Sequence, residues 1–377
     1  MTVNGRLPAE VEVVVIGAGF AGVSVAASLA RSGVGGGLVL ERESLPGTHA
    51  SGRNAAIARE LETDPVLLRL AVEGVRRLHR HTVAGRPAVS PSGALYLFHD
   101  GEERAARVLG QLHALGVPSE LLPADDARRR FPLLDGFGFG QAVFCPDDGV
   151  IDIHGLLEDL LGEARTGGFE IATACPAEDL IVESSTVRGV RTPRGTVAAR
   201  IVVDASGAWA GRLGRAVPLP LQPLRRHLFF AEGAGAVSRD APVVWDLDMG
   251  YYVRPEAAGV LLCACDESAC PPCDPPVDPA VADLLVDKLL EHAPGLAEVA
   301  LRRSWACLRT FAPDRLPVIG WDPEVSGLFH LSALGGFGAT TSLAVGELGA
   351  ARIRGAAVDW IDAGAFDPSR EKLRPLA

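Results

Sequence analysis

Lysine is nearly missing from this chain of 377 residues: it occurs only at Lys288 and Lys372, and arginine carries almost all of the positive charge. The 47 acidic residues outnumber the 36 basic ones, for a formal net charge of −11. We therefore expect no basic surface for nucleic acid. The apolar fraction of 48% and the charged fraction of 22% exclude a disordered chain and a coiled coil.

The sequence also lacks an uninterrupted apolar run long enough to span a membrane. The most apolar stretch, residues 11–30, carries Glu12 and three glycines, and it has the pattern of a strand followed by a helix. The first ten residues offer neither a basic segment nor a small-residue cleavage site of the kind found in secretory signals. We expect a cytoplasmic protein with no membrane span.

Cysteines are few and odd in number, which is not typical of a disulfide framework: there are seven. Four of them lie close together, at Cys263, Cys265, Cys270 and Cys273. Structural zinc sites favour four cysteines, but the spacing fits the usual zinc patterns poorly. We expect no metal site, and we expect Cys263 and Cys265 to pack on one face of a strand. A metal site or a disulfide is the alternative.

The order of the elements predicts one domain built from separated pieces of chain. Helix-forming patterns dominate both ends, whereas residues 217–309 are mostly strand-like with one helix. A helix is predicted from Asp64, with Thr63 or Asp64 as its cap, and another from Ala339 to Arg354. This arrangement predicts a fold that combines α/β and α+β parts.

A nucleotide-binding motif follows the first predicted strand. Gly17 allows a tight turn, Gly19 lets the backbone approach a pyrophosphate, and Gly22 lets the helix lie close to the strand. The helix N-terminus offers unpaired N–H groups to the anion. Glu41, at the end of the second strand, suits a ribose hydroxyl and disfavours the 2′-phosphate of NADP.

Two remote segments favour FAD over NAD. The strand at residues 200–204 ends in Ala205, Gly207 and Trp209, as if the backbone lay against a flat ligand. Residues 331–350 form a second strand, glycine turn and helix, whose N-terminus is suited to stabilising a developing anion. The alternative for this last segment is a helix that only packs against the core.

Together these segments resemble the D-amino-acid-oxidase-like superfamily of FAD-dependent amine oxidoreductases over nearly the whole chain. The segment of residues 46–56 has the pattern His49-x-x-Gly52-Arg53-x-Ala55-Ala56, which is similar to the D-arginine-dehydrogenase-like branch. The resemblance implies a Rossmann-like FAD-binding domain assembled from residues 1–86, 145–216 and 310–377. It also implies a substrate domain with a large mixed β-sheet, from residues 87–144 and 217–309.

The resemblance implies a set of residues in contact with non-covalent FAD. They are Gly17, Gly19, Phe20, Ala21, Gly22, Glu41, Arg42, His49, Ala50, Ser51, Arg53, Asn54, Ala55, Ala56, Ala205, Gly207, Trp209, Gly335, Gly336, Gly338, Ala339 and Thr340.

The implied reaction is oxidative deamination of a D-amino acid, in which the Cα hydrogen passes as hydride to flavin N5 and the imino acid then hydrolyses to a 2-oxo acid. By the resemblance, Arg226, Arg309 and Tyr252 hold the substrate carboxylate. A fork of guanidinium donors fixes both the orientation and the charge of such a group. His49 lies in the turn that runs beside the flavin in this family, and the resemblance implies a catalytic role for it, by contact with the isoalloxazine or by assisting deprotonation of the amine; a capping or packing residue is the alternative.

The sequence departs from the family pattern in three places. The acidic residue and lid tyrosine of members that take cationic substrates are replaced by Gly85 or Arg86 and by Ala58, which predicts a neutral, apolar or anionic substrate side chain. Cys307 and Asp314 keep the spacing of the covalent flavin link in monomeric sarcosine oxidases, although a buried core cysteine is the simpler interpretation. Neither lysine lies in a flavin motif, which favours a dehydrogenase over an oxidase.

Three alternatives remain open from the sequence. They are a glycine or sarcosine-type amine oxidase, an FAD-dependent 2-hydroxy acid dehydrogenase and a non-enzymatic, flavin-binding redox-sensing module. The electron acceptor is a quinone, a carrier protein or O2.

Overall fold

The computed structural model describes residues 5–99, 102–213, 218–232 and 238–373. In chain order its strands are β1 (Glu10–Ile16), β2 (Gly37–Leu40), β3 (Ile57–Ala58), β4 (Thr82–Val83), β5 (Arg86–Pro87), β6 (Val89–Ser90), β7 (Ala94–Phe98), β8 (Glu120–Pro123), β9 (Gln141–Cys145), β10 (Gly149–Ile151), β11 (Glu170–Ala172), β12 (Asp179–Glu183), β13 (Thr186–Thr192), β14 (Gly195–Asp204), β15 (Gln222–Glu232), β16 (Val243–Asp246), β17 (Tyr251–Glu256), β18 (Gly259–Cys263), β19 (Ser268–Ala269), β20 (Ala300–Phe311), β21 (Val318–Trp321) and β22 (Leu328–Ser332). The α-helices are α1 (Phe20–Arg31), α2 (Pro65–Arg80), α3 (Glu102–Ala114), α4 (Ala124–Arg130), α5 (Ile153–Thr166), α6 (Ala280–His292) and α7 (Ser342–Ile353).

The first sheet has a parallel centre, with β11, β2, β1, β14 and β22 side by side. Strand β14 is long enough to pair with two partners along one edge: its first half is antiparallel to β13, and its last three residues are parallel to β22. The last four residues of β1, 13–16, are all apolar and buried because both faces of a parallel centre are covered. Val13 and Val15 pack with α1, α5 and α7, while Val14 and Ile16 pack beneath β12 and β13.

The second sheet is large and mixed. Its strands run in the order β19, β15, β18, β17, β16, β7, β9 and β8, with β20 paired to β15. Strands β7 and β16 are parallel, and the other neighbours are antiparallel. Leu285 and Leu289 of α6 pack on Phe229 and Val253 on one face of this sheet.

The chain passes between the two sheets several times. Strands of the first sheet come from residues 10–40, 170–204 and 318–332, and strands of the second come from residues 94–145 and 222–311. The predicted combination of α/β and α+β parts is confirmed. The domain boundaries stay predictions, and the one between residues 216 and 217 lies outside the described residues.

The structure contains one of the predicted helix caps and corrects two other local predictions. The Asp64 carboxylate caps α2, accepting from the N–H groups of Val66 at 2.8 Å and Leu67 at 3.0 Å. The last helix begins at Ser342 rather than Ala339, because the preceding turn is held by Thr340, whose hydroxyl donates to the Ile57 carbonyl at 3.0 Å. Strand β18 ends at Cys263, so Cys265 does not share its face: Cys265 has left-handed backbone with φ 51°.

Within the described residues, no helix is both long enough and apolar enough to cross a membrane.

Candidate active site

A cavity of about 550 Å³ opens between the carboxyl ends of the first sheet's parallel strands and residues of the second sheet. Ile16, Leu40 and Ala205 mark the strand ends, while Tyr252 and Leu308 come from the other side. Of the residues predicted to contact cofactor or substrate, all line this cavity except Gly22 and Arg226. The structure therefore collects in one place segments that lie more than 300 residues apart in the chain.

The first glycine turn is shaped so that larger residues do not fit. Gly17 has φ +103°, and a Cβ there would lie 2.6 Å from the Ala205 carbonyl oxygen. A Cβ at Gly22 would overlap the Gly17 carbonyl oxygen, which explains why Gly22 serves packing and does not line the cavity. Gly19, the residue before α1, has no side chain to cap the helix, and among the described residues only the Phe20 N–H is taken by another side chain, that of Ser51; the other N–H groups of the first turn are suited to bind a phosphate.

Glu41 is held by the backbone with its carboxylate at the cavity wall. It is 7% exposed, and it accepts hydrogen bonds from the N–H groups of Ala18 at 2.8 Å and Glu43 at 2.9 Å. A carboxylate has about four lone-pair positions, so acceptor capacity remains for the hydroxyls of a ribose.

His49 lies between Glu43 and Trp209. Its Nε2 is 3.0 Å from the Glu43 Oε1, its ring centroid is 5.0 Å from that of Trp209, and the Arg42 guanidinium covers the same indole at 4.3 Å. The hydrogen bond from His49 lowers the pKa of Glu43. None of the hydrogen bonds or ring contacts of His49 among the described residues involves Arg309 or Tyr252.

The turn after His49 is shaped by its own polar groups. The Phe20 N–H donates to Ser51 Oγ at 2.9 Å, which ties this turn to the start of α1. The Asn54 side chain donates to the Ser51 carbonyl at 2.7 Å and accepts from the Ala56 N–H at 2.6 Å. These bonds fix the wall against which the predicted flavin would lie.

Tyr252 and Arg309 line the opposite wall. Tyr252 is fully buried, and within the described chain its hydroxyl has no hydrogen-bond partner; burial raises its pKa well above the ordinary value. Arg309 is half-buried next to the second glycine turn, where a Cβ at Gly336 would lie 3.0 Å from Arg309 Nη1. No carboxylate among the described residues forms an ion pair with Arg309.

Arg226 does not line the cavity. It is 5% exposed, and its Nη2 donates to Glu267 Oε1 at 2.9 Å. In the sheet it pairs with Cys307, the residue two before Arg309 on β20, so the two arginines lie on the same face of the sheet. The structure gives them different surroundings: Arg309 lines the cavity without an ion-pair partner among the described residues, and Arg226 is buried beside it and bound to Glu267.

Cys263 belongs to this arginine cluster, although the sequence pattern assigned it no role there. Burial alone would raise the pKa of its thiol, but the hydrogen bond with Cys265 and the guanidinium groups of Arg226 and Arg309 lower it to about 5. Cys263 is brought to this site because it pairs with Tyr252 across strands β17 and β18. No local sequence motif predicts which residues pair in this way.

A second residue missed in the sequence is Arg59. It lines the cavity with its guanidinium 4.2 Å from the Trp245 ring centre and 4.1 Å from that of Phe337. Gly85 and Arg86, in contrast, lie at the β4–β5 hairpin and do not line the cavity. Among the described residues, the cavity is lined by five arginines and two carboxylates: Arg42, Arg53, Arg59, Arg212, Arg309, Glu41 and Glu43. Arg53 and Arg59 are paired with Asp274 and Glu62, which do not line it.

The cysteines do not form the four-sulfur site considered above. Only His81, Asp159 and Glu163 bring three metal-ligating groups together within the described residues, and Glu163 is already paired with Arg31. Cys307 lines the cavity with a buried thiol whose pKa is raised, mainly by burial. Asp314 is engaged by Arg370, with 2.8 Å between Oδ2 and Nε.

Comparisons with known proteins identify the family of this chain. The family described as FAD dependent oxidoreductase (DAO) matches residues 12–352. The chain is 28% identical over 351 residues to 4-methylaminobutanoate oxidase (formaldehyde-forming) of Paenarthrobacter nicotinovorans, covering 87% of this chain and 42% of that protein. It is 25% identical over 350 residues to human mitochondrial sarcosine dehydrogenase, covering 86% of this chain and 37% of that protein. The chain thus spans about two fifths of the length of these relatives.

Among solved structures, L-proline dehydrogenase from P. horikoshii superposes with a TM-score of 0.84 at 23% identity, over 96% of this chain and 98% of that one. The chain belongs to the FAD-dependent oxidoreductase (DAO) family. FAD is therefore its cofactor, and the glycine turns, the Glu41 carboxylate and the basic cavity fit that molecule.

Proposed function

We propose that this protein catalyses the FAD-dependent oxidative deamination of a D-amino acid. The observation that carries the proposal is Arg309: a cavity-facing guanidinium without an ion-pair partner in the described chain, beside the unsatisfied hydroxyl of Tyr252. A substrate carboxylate would satisfy both groups, since an unpaired buried polar group is costly and a charged hydrogen bond is strong.

The protein's part in the reaction is binding and orientation. Arg309 would hold the carboxylate, and the Tyr252 hydroxyl would donate to it, so that the Cα–H bond is fixed toward the flavin. When bound, FAD supplies the capacity to accept a hydride. We call the cavity side formed by the predicted FAD contacts the cofactor wall, and the side with Tyr252 and Arg309 the substrate wall. The turn at Gly335 and Gly336 comes within contact of Arg309, and it thereby joins the two walls.

Arg226 has a supporting part in this proposal. It binds Glu267, a carboxylate that Arg315 also binds at 2.8 Å, and it lies next to Cys263 and Tyr252 without lining the cavity. We therefore assign substrate contact to Arg309 and positioning of the wall to Arg226. His49 is assigned to the cofactor side, where it would fix Glu43 and Trp209.

The substrate side chain is proposed to be apolar or anionic. The lining residues near the substrate wall include Arg59 and Trp245, and the cavity's two carboxylates lie at the cofactor end. The preference for the D configuration follows from the similarity of residues 49–56 to the D-arginine-dehydrogenase-like branch.

Electron transfer to an acceptor other than O2 is the proposed second half of the reaction. The Lys288 ammonium donates to the carbonyls of Gly250 at 2.7 Å and Ala264 at 2.9 Å, and neither Lys288 nor Lys372 lines the cavity. FAD is proposed to be non-covalent, with a link to Cys307 as the alternative. The cytoplasmic location stays a prediction.

A second candidate is oxidation of a secondary amine. The names of the relatives and of the superposed structure contain sarcosine, 4-methylaminobutanoate and L-proline, all of which carry a secondary amine and a carboxylate. The same Arg309 would bind that carboxylate. Oxidation of a 2-hydroxy acid is a third outcome that the experiment below separates.

The test is anaerobic reduction of the bound flavin, followed near about 450 nm, the absorption of the oxidised cofactor. D- and L-amino acids, sarcosine, L-proline and D- and L-2-hydroxyglutarate are added in turn. Bleaching by D-amino acids supports the proposal and identifies the side-chain class. Bleaching by secondary amines or hydroxy acids alone replaces it with the corresponding candidate, and acid precipitation shows whether the flavin stays attached to the protein.

A further inference from the structure

Cys270 and Cys273 lie with their sulfur atoms 3.6 Å apart at the edge of the cavity. Only Pro271 and Pro272 separate them, and both cysteines are partly exposed. Cys273 lines the cavity together with Pro275. Four of the other cysteines are buried, at Cys145, Cys175, Cys263 and Cys307.

The segment that carries this pair is connected to both walls of the active site. Asp274, the residue after Cys273, forms an ion pair with Arg53 of the cofactor wall, with 3.3 Å between Oδ2 and Nη2. On the other side of the pair, Glu267 accepts from Arg226 at 2.9 Å. A shift of Cys273 would therefore move a group bonded to the cofactor wall.

The geometry suits a reversible disulfide. A disulfide requires an S–S distance of about 2.05 Å, so the two sulfurs need to approach by about 1.5 Å, which side-chain rotation and a small backbone adjustment can supply. Two cysteines separated by two residues are a common arrangement of redox-active pairs. The two sulfur atoms are already in contact with each other.

We propose that Cys270 and Cys273 form a reversible dithiol–disulfide pair whose oxidation loosens the Arg53–Asp274 contact at the cofactor wall. The oxidant is a low-molecular-weight disulfide such as oxidised glutathione. The thiolate of one cysteine attacks a sulfur of that disulfide, which forms a mixed disulfide and releases one glutathione thiolate. The second cysteine thiolate then attacks the mixed disulfide, closes the Cys270–Cys273 bond and releases the second glutathione.

The step balances without the flavin. Two electrons pass from the two cysteines to the external disulfide, and the two cysteine protons end on the two glutathione thiols. The inference does not depend on which amine is the substrate, so the two can fail separately.

The experiment equilibrates the FAD-loaded protein with graded ratios of reduced to oxidised glutathione, blocks free thiols by alkylation and maps them by mass spectrometry. We expect Cys270 and Cys273 to lose alkylation together as the ratio falls, with a loss of two hydrogens. Cys270→Ser and Cys273→Ser should instead leave a single glutathione adduct on the remaining cysteine. Cys265→Ser, in the same segment, should keep the wild-type transition. Alkylation of both cysteines at every ratio would overturn the proposal that they form a reversible disulfide.

The coupling is measured as the rate of FAD release, from the fluorescence of the freed flavin. Because an exposed ion pair contributes little free energy, we expect oxidation to accelerate release by about two- to fivefold in the wild type. Neither serine variant should respond, and Asp274→Asn should show the faster release at every ratio. A disulfide that forms while FAD release stays constant would overturn the coupling to the cofactor wall.

Discussion

The two walls of the active site are built in different ways. The start of the cofactor wall is local: Gly17, Gly19 and Glu41 lie within 25 residues, and backbone hydrogen bonds set their geometry. The substrate wall is assembled by register across β15, β17, β18 and β20, which brings together Arg226, Tyr252, Cys263 and Arg309. Local chain geometry thus creates this part of the cofactor wall, and sheet pairing creates the substrate wall.

Gly22→Ala should break the cofactor wall with the largest effect. The added Cβ would overlap the Gly17 carbonyl oxygen, a backbone atom that cannot move without disturbing the turn. We expect a loss of about 4 kcal/mol or more in the free energy of unfolding, together with loss of FAD. Urea unfolding and the flavin spectrum measure both.

The matched control is Gly110→Ala in the middle of α3, where a Cβ meets no atom within 4 Å. Alanine should stabilise that helix by up to about 1 kcal/mol. Equal behaviour of the two variants would contradict the steric explanation of the turn.

Arg309→Met should break the substrate wall while leaving the cofactor wall intact. Removing a charged partner of a desolvated carboxylate costs about 3–5 kcal/mol, so kcat/KM should fall by about two to four orders of magnitude with FAD still bound. Arg309→Lys should recover only part of the activity, because the ammonium lacks the planar fork. Arg303→Met, exposed on the same strand, serves as the control; an equal loss there would remove the specific role of Arg309.

Glu60 tests a buried contact between the chain after β3 and the second sheet. Its N–H donates to Asp148 Oδ1 at 2.8 Å, and Tyr96 of the second sheet donates to Asp148 Oδ2. Burial and the charges of Asp148 and Asp147 raise the pKa of Glu60 to about 9. The folded state therefore holds a proton that the unfolded chain gives up near pH 4.5, and stability should fall as pH rises between these values.

Glu60→Gln should remove much of that dependence. At pH 8 we expect the variant to be more stable than the wild type by about 2 kcal/mol or more, since one pKa unit corresponds to about 1.4 kcal/mol. At pH 5 the two should differ little. Thermal unfolding across pH 5 to 9 measures this, and parallel curves would show that Glu60 is not protonated in the folded protein.

Tyr252→Phe should have the smallest effect and sharpen the comparison. The hydroxyl has no partner in the described chain, so its loss should leave stability within about 0.5 kcal/mol. A lost hydrogen bond to a charged carboxylate should raise KM about tenfold, which corresponds to about 1.4 kcal/mol. An unchanged KM would place the substrate carboxylate away from Tyr252.

The predicted features that the structure contains are those with local signals. The glycine turn, the position of Glu41 after β2, the capping of α2 by Asp64 and the second glycine turn all depend on residues close in the chain, and the roles of the site residues stay predictions. The start of α7 was placed three residues too early, because the Thr340 hydrogen bond to Ile57 is a contact across 283 residues. The prediction that Cys265 lies on a strand is wrong for a different reason: its backbone is left-handed, and no residue type in the sequence signals that conformation there.

The sequence by itself determined the family and the cofactor. All but one of the residues that it predicts to contact FAD line the cavity, and the glycine turns among them have a local signal, because backbone shape in a tight turn depends on which residues lack a Cβ. The tertiary structure decided which arginine lines the cavity and which is buried beside it and bound to Glu267. It also brought Cys263 near both arginines and set Cys270 beside Cys273 at the edge. These differences arise from strand register and burial, which are set by contacts between residues far apart in the chain.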